Sequence, residues 1–412
     1  MRMLRQLFGT TQSHVMAVVL VVLVLVFNVA SGGRMVTASN AQNLVASNAY
    51  VLILAIGMVL VVVIGQIDLS VGSVAAVVSM SVALLMHRTG LPWWAGLLAG
   101  VILGVAIGAF QGFFLARMGV PGFITTLAGM MIFRGIAQWE SQALSVPVPE
   151  QFVTLGAGYL PEWGPAWTGM NNSTLVLGVL VAALLVGDVQ TSYRRHATRM
   201  GEEVQNWIPN ARSAVVIAVV GWLTWLFGAG RAGTSFPVPG VIVLALVLIY
   251  HIITQRTAFG RHIYAVGGSP VAASLSGVDV RRVQFAVMVN MGALAALAGM
   301  MFAGRSTAAG PQDGTLWELD AIAAVFVGGA AVSGGVGTVL GGIVGGLVMA
   351  VLNNGLLLLG VGSDLSRTIK GIVLLIAVCV DLYMRRRDRP SITGRLISGL
   401  QVNRTPPPAR LS

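Results

Sequence analysis

The stretch SNAYVLILAIGMVLVVVIGQIDLSVGS, residues 47–73, decides how this chain is read. Its first part, 47–65, is a nearly unbroken apolar run, long enough as an α-helix to cross the ~30 Å hydrocarbon layer of a bilayer. A second apolar run, 70–87, begins after only Gln66, Ile67, Asp68 and Leu69. A carboxylate therefore stands between two membrane-length segments. An ionised side chain at mid-bilayer costs about 2.5–3.5 kcal/mol on insertion scales, so Asp68 must face a cavity or cap a helix. As an N-cap it would accept backbone N–H groups at the start of the second run; a place in a solute path is the alternative. Both require the chain to break here.

The pattern continues outward in both directions. Of 412 residues, 56% are hydrophobic and 9% are charged, too few charges to cover a water-facing surface. Twelve apolar segments follow one another at roughly 14–30, 47–65, 70–87, 93–116, 121–137, 173–190, 213–229, 238–254, 283–302, 318–332, 338–359 and 368–384. They predict an all-α fold, a polytopic α-helical integral membrane protein with about 10–12 transmembrane segments, some short or broken. The 52 glycines agree, because small residues let helices approach closely where lipid supplies no hydrophobic drive. The lone cysteine, Cys379, excludes an intrachain disulfide.

The net charge of +11 would suggest nucleic acid in a soluble protein, but here the basic residues lie in the breaks between apolar runs. With the N-terminus inside, the stretches 1–13, 66–69, 116–120, 191–212, 255–282, 333–337 and 385–412 are cytoplasmic and hold 18 of the 25 Lys and Arg. The expected organisation is a cytoplasmic N-terminus (1–13), a transmembrane domain (14–384) with a cytoplasmic loop at 255–282, and a basic cytoplasmic tail (385–412). Arg2 and Arg5 ahead of the apolar run Val15–Ala30 resemble a signal peptide, although the many later spans favour an uncleaved first helix. An outer loop, about 138–172, carries Trp139, Tyr159, Trp163 and Trp167, as an interfacial aromatic belt would. Gly328, Ser333 and Gly335 match the spacing of Gly65, Ser70 and Gly72, a pattern that an internal repeat or a glycine-rich composition can each produce.

The most specific stretch is FGRHIYAVGGSPVAASLSGVDVRRVQ, residues 259–284. Ser269 with Pro270 reads as an N-cap followed by proline at the first helical position, and Gly277 as a left-handed stop. The helix between them has about two turns, too short to cross a bilayer. Val271, Ala272, Ala273 and Leu275 are odd in a water-exposed loop, but fit a capped helix docked in a groove of another protein. Arg261, Arg281 and Arg282 flank it and could pair with acidic groups there, or simply retain the loop inside.

Several motifs in order resemble the permease family of bacterial ABC importers for monosaccharides, the class serving ribose, xylose, arabinose and galactose. They are IDLSVGS (67–73), VPGFITTLAGMMIFRGIA (120–137), GRHIYAVGGSPVAASLSGV (260–278), ELDAIAAVFVGG (318–329) with SGGVGT (333–338), LNNGLLLLGV (352–361) and IKGIVLLIAVCVD (369–381). The additional segments around 140–212 look most like the xylose or multiple-monosaccharide branch. The resemblance implies that the 255–282 loop holds a coupling helix seated in a separate ATP-binding subunit. Gly267, Gly268, Ser269, Ala272, Ala273, Leu275, Ser276 and Gly277 then occupy that helix, with Arg261 and Pro270 beside them. It also implies two permeases on two ATPases and an external sugar-binding protein, periplasmic or lipid-anchored. ATP and magnesium would sit on the ATPase, with no cofactor, metal or nucleic acid on this chain. Gln66 stands where the family commonly has glycine, and Ser269 where it commonly has asparagine; serine preserves the N-cap.

Hydroxyl, amide and carboxylate groups are what an uncharged sugar needs along its path. The candidates are Gln66, Asp68, Ser70, Gln111, Thr125, Thr126, Asn353 and Asn354, with helix–helix hydrogen bonding as the competing reading for each. Arg134, Glu318 and Asp320 are expected near outer ends, where surface solvation is the favoured reading and pairing with each other or contact with an external binding protein the alternatives. A charged residue at Leu275 or Ala273 is expected to uncouple transport and leave the fold intact. The only lysine, Lys370, lies in RTIKGI, so no Walker A loop exists for ATP hydrolysis. The rival reading is an ion-coupled secondary transporter with Asp68 as the ion ligand. An intramembrane enzyme is disfavoured by the lack of G-x-S-x-G, H-E-x-x-H or a histidine cluster.

Overall fold

A computed structural model describes residues 11–165, 169–200, 207–230 and 234–387. Fifteen helices are assigned among them: α1 (Thr11–Ala30), α2 (Ala38–Val63), α3 (Val71–Thr89), α4 (Trp93–Ala116), α5 (Gly122–Ser141), α6 (Glu150–Ala157), α7 (Asn172–Met200), α8 (Trp207–Gly228), α9 (Val238–Arg256), α10 (Ala258–Gly268), α11 (Pro270–Leu275), α12 (Val280–Ser306), α13 (Trp317–Val327), α14 (Val339–Leu358) and α15 (Ser363–Arg387). A short 3-10 helix, Arg34–Val36, and one antiparallel pair, β1 (Val146–Pro147) with β2 (Ala308–Ala309), complete the regular structure among the described residues. The all-α expectation holds.

Among the described residues eight helices are long and apolar enough to cross a membrane: α2, α3, α4, the Asn172–Arg194 part of α7, α8, α9, α12 and α14. The other four apolar segments differ for visible reasons. In α1 the apolar stretch is shorter, Met16–Ala30. Helix α5 carries Arg134 and Glu140, and α15 carries Asp364, Arg367 and Lys370 in its first turns. Helix α13 has 11 residues, about 16 Å at 1.5 Å per residue, half of a hydrocarbon layer.

Glycine spacing builds the centre. On α4, Gly96, Gly100, Gly104, Gly108 and Gly112 recur every four residues and so share one helical face. From Gly100 to Gly112 it lies against α12, while Gly96 meets Met86 of α3: a Cβ at Gly104 would sit 2.5 Å from the Gly292 carbonyl oxygen and from the Ala296 Cβ, and one at Gly108 2.5 Å from the Met288 carbonyl. Such backbone approach maximises dispersion contact between helices that gain nothing from leaving lipid for lipid-like side chains. Helix α12 packs on α2, α3, α4 and α6, and its Val287, Met291, Ala295, Ala298 and Met300 are fully buried with the Ile53–Ile64 face of α2. Helices α7 and α8 instead pack mainly on each other, with α8 also touching α2.

Two helices start beside one another where the chain is broken. A Cβ on Gly72, in the first turn of α3, would stand 2.0 Å from the Gly314 carbonyl oxygen and 2.7 Å from Glu318 Oε2, in the first turn of α13. The break at 64–70 and the one at 328–338 also meet, with the Gly335 N–H donating to the Val63 carbonyl at 2.8 Å. The glycine spacing shared by these stretches is not a shared conformation. Gly65 has φ 76° where Gly328 has −70°, and Gly72 is helical where Gly335 has φ 74°.

The 138–172 loop is more than a belt. Trp139 and Trp163 are exposed, as a belt requires, but Phe152 of α6 is buried and Gly156 lies against the backbone of Met301 and Arg305. Trp167, the first ten residues and the tail beyond Arg387 lie outside the described residues.

Candidate functional site: a capped loop helix and a polar break

The loop after α9 folds as the sequence predicts. Thr257 Oγ1 accepts from the Gly260 N–H at 3.1 Å and starts α10; Ser269 Oγ accepts from the Ala272 N–H at 3.2 Å and starts α11 at Pro270. Gly277, at φ 84°, reverses the chain, and Asp279 Oδ1 caps α12 by accepting from the Arg282 N–H at 3.0 Å. Helix α11 has six residues, less than the two turns expected.

Its side chains divide sharply. Leu275 is 85% exposed and Val271 71% exposed, whereas Ala273 is 4% exposed and packed into the core. This corrects the expectation that Ala273 and Leu275 are equivalent docking positions: on so short a helix residues two apart point in different directions. Arg261, Ser269, Pro270, Ala272, Ser276 and Gly277 are exposed, as Leu275 is. Gly267 faces inward at the end of α10, whereas Gly268, the last residue of that helix, is exposed; both belong to α10 and not to α11. A Cβ on Gly267 would lie 1.8 Å from the Val63 carbonyl oxygen, and the Gly335 backbone packs against Gly268. Tyr264 of α10 donates its hydroxyl to the Gly337 carbonyl at 2.7 Å, and burial raises its phenol pKa, keeping it a donor. Helix α10 is thus tied to the end of α2 and to the 328–338 break.

Five of the eight path candidates gather at the 64–70 break, four of them buried and Gln66 half-buried. Asp68 Oδ1 accepts from the Ser70 N–H at 2.8 Å and from its hydroxyl at 2.6 Å, and Gln111 of α4 donates to Ser70 Oγ at 2.7 Å. Thr126 of α5 accepts from the Leu69 N–H at 3.2 Å, and Gln66 Oε1 accepts from the Gly122 N–H at 3.1 Å, the first residue of α5. Asp68 therefore makes a tight turn onto Ser70, itself the residue that precedes α3, rather than capping the helix two or three residues in. Asp68, Ser70, Gln111 and Thr126 are buried, so in this conformation the cluster ties α3, α4 and α5 to the break. Thr125 bonds back to the Pro121 carbonyl. Asn353 and Asn354 lie elsewhere, on α14; Asn354 Nδ2 donates to Asn40 Oδ1 at 3.0 Å in the first turn of α2.

Surface solvation of Glu318 and Asp320 is overturned. Both are buried, because α13 begins inside the helix bundle rather than at its outer surface. Lys370 of α15 donates to the two Asp320 oxygens at 2.9 and 3.2 Å, and Arg134 donates to the Asp313 carbonyl. Arg305 of α12 reaches Ser47 Oγ at 2.9 Å and Asn43 of α2. Lys370 and Asp320 stand fifty residues apart, and nothing local in the sequence couples them. The four-residue glycine spacing on α4, by contrast, was there to be read.

A bundle of membrane-length helices, interrupted by half-length elements with polar groups at the breaks, is the architecture of a multi-pass membrane protein of the kind transport subunits share. Comparison with known proteins makes this particular. Residues 40–378 match the family described as branched-chain amino acid transport system / permease component, and the chain belongs to that family. It is 35% identical over 379 residues to the xylose transport system permease protein of Escherichia coli (strain K12), covering 92% of this chain and 93% of that one. It is 33% identical over 380 residues to the xylose transport system permease protein of Haemophilus influenzae, covering 91% and 97%. Against the ribose import permease protein of Escherichia coli (strain K12) the identity is 32% over 318 residues, 76% and 77% of the two chains. No solved structure matches.

Proposed function

We propose that this chain is the permease subunit of an ATP-driven, binding-protein-dependent importer that carries a monosaccharide, xylose or a related pentose or hexose, across the inner membrane. The sugar class rests on the relatives, which are named for xylose and ribose transport. The observation that carries the mechanism is the exposure of Leu275 and Val271 on a helix capped at both ends. Apolar side chains held rigidly outward belong in a partner's groove. The partner is an ABC ATPase subunit that binds ATP and magnesium, because this chain has no phosphate-binding loop of its own. Two copies of this chain enclose one path, a closed symmetric dimer being the commonest assembly. A periplasmic or lipid-anchored sugar-binding protein supplies the outer face, and both termini lie in the cytoplasm.

Closure of the ATPase pair would push α11. Four residues, 276–279, separate the end of α11 from the start of α12, and α10 is held to Val63 and Gly337. The push therefore reaches both central helices, α2 and α12, and the two breaks between them. The polar cluster of Gln66, Asp68, Ser70, Gln111 and Thr126 flanks the path at that level, with Thr125 beside it; Asn353 and Asn354 serve its other end. An ion-driven carrier has no use for an outward-facing capped helix, and Asp68 already spends one oxygen on two donors of Ser70. The test is uptake of labelled xylose by proteoliposomes holding this chain, its ATPase and its binding protein. Uptake should need ATP, persist with a proton ionophore and stop when the ATPase lacks its Walker A lysine. Uptake by this chain alone under an ion gradient would establish the ion-coupled alternative.

A further inference from the structure

A groove of about 540 Å³ opens where α4 ends and α12 begins, lined by Phe113, Arg117, Arg281, Arg282 and Phe285. It sits at the end of the glycine-mediated α4–α12 contact, where a Cβ on Gly112 would be 3.1 Å from the Phe285 ring. Its floor is two exposed phenyl rings and its rim three exposed guanidinium groups. Arg282 shares its charge with Asp279 at 2.9 Å. Among the described residues no carboxylate lies within ion-pair distance of Arg117 or Arg281. Two membrane-length helices thus present, at their adjoining ends, two exposed rings beside positive charge that no carboxylate within ion-pair distance offsets at Arg117 or Arg281.

We propose that this groove binds an anionic phospholipid, the phosphodiester held by Arg117 and Arg281 and the proximal acyl chain lying on Phe113 and Phe285. Guanidinium groups take phosphate oxygens in pairs, and a basic pocket between transmembrane helices is the chemistry that selects acidic headgroups. A free phosphate would use the rim and leave both rings bare. An acidic protein segment would leave the lipid-level wall unfilled. Because the same turn of α12 follows α11 directly, a bound lipid steadies the helix that receives the push.

The experiment is native mass spectrometry of the full-length chain in detergent, titrated with phosphatidylglycerol or with phosphatidylcholine. The wild-type chain should retain one phosphatidylglycerol in preference to phosphatidylcholine, and each removed charge should weaken retention about fivefold. R117Q/R281Q should abolish the preference, while R117K/R281K, which keeps charge but loses the paired geometry, should fall between. The wild-type competition decides the matter even if a variant fails to assemble. Equal retention of the two lipids overturns the proposal. So does displacement of the lipid by millimolar inorganic phosphate, which marks a free-anion site. Unchanged lipid retention in R117Q/R281Q with loss of ATPase binding also overturns it, and assigns the patch to the ATPase interface.

Discussion

Replacing Leu275 by aspartate separates partner binding from folding. In the isolated chain Leu275 is 85% exposed, so the substitution removes almost no internal contact, and stability should stay within about 0.5 kcal/mol of wild type. In the proposed assembly the same side chain would be buried against the ATPase. Full burial of a leucine contributes about 1.5–3 kcal/mol, and at about 1.4 kcal/mol per tenfold this weakens ATPase binding by roughly 10- to 150-fold. Desolvating the new carboxylate adds to the loss. Ala273→Asp should do the opposite: at 4% exposure it forces a charge into the core, and the chain should lose thermal stability before any binding is measured. Titration of the purified ATPase onto nanodisc-embedded chains gives the affinity, and thermal unfolding of the same samples gives stability. A Leu275→Asp chain that binds the ATPase as wild type does, or that melts several degrees lower, would refute the reasoning.

Gly104→Leu should destabilise by about 1–3 kcal/mol or block assembly, since even its Cβ would press on the Gly292 carbonyl, whereas Gly135→Ala on α5, with open space around it, should be neutral or slightly stabilising in the same thermal assay. Asp68→Ala leaves the buried Ser70 N–H unpaired and should cost about 1–3 kcal/mol, while Asp68→Asn, which keeps an acceptor, should cost less; denaturant unfolding distinguishes them. Lys370→Met strands the buried Asp320 carboxylate and should cost about 3–5 kcal/mol, and Lys370→Met with Asp320→Leu should recover most of it. A double-mutant cycle by thermal melt checks that recovery.

Periodicity and punctuation were legible; long-range pairing was not. Apolar length announced α2, α4, α12 and α14, and Ser269, Pro270 and Gly277 announced the existence and the start of α11, though not its length, because caps and turns are chosen by local backbone geometry. The direction in which Ala273 points depends on what α11 packs against, which no local rule supplies. The burial of Glu318 and Asp320 follows from where α13 starts inside the bundle, a consequence of the Gly72–Gly314 contact between segments more than two hundred residues apart. The candidate path residues were chosen as polar side chains near apolar ends. Five of them meet because the 64–70 break draws α4 and α5 onto it, and the α14 asparagines do not because their helix face turns to the first turn of α2.

Site-directed cross-linking from α11 tests the central claim most directly. In a Cys379→Ser background, Leu275→Cys is the only thiol in the chain, and its position is highly exposed. With a short bifunctional reagent on the purified assembly, the account predicts a cross-link from residue 275 to the ATPase, and protection from membrane-impermeant thiol reagents added outside intact cells. Labelling from the outside, or a fully assembled complex in which residue 275 never cross-links to the ATPase, would contradict it.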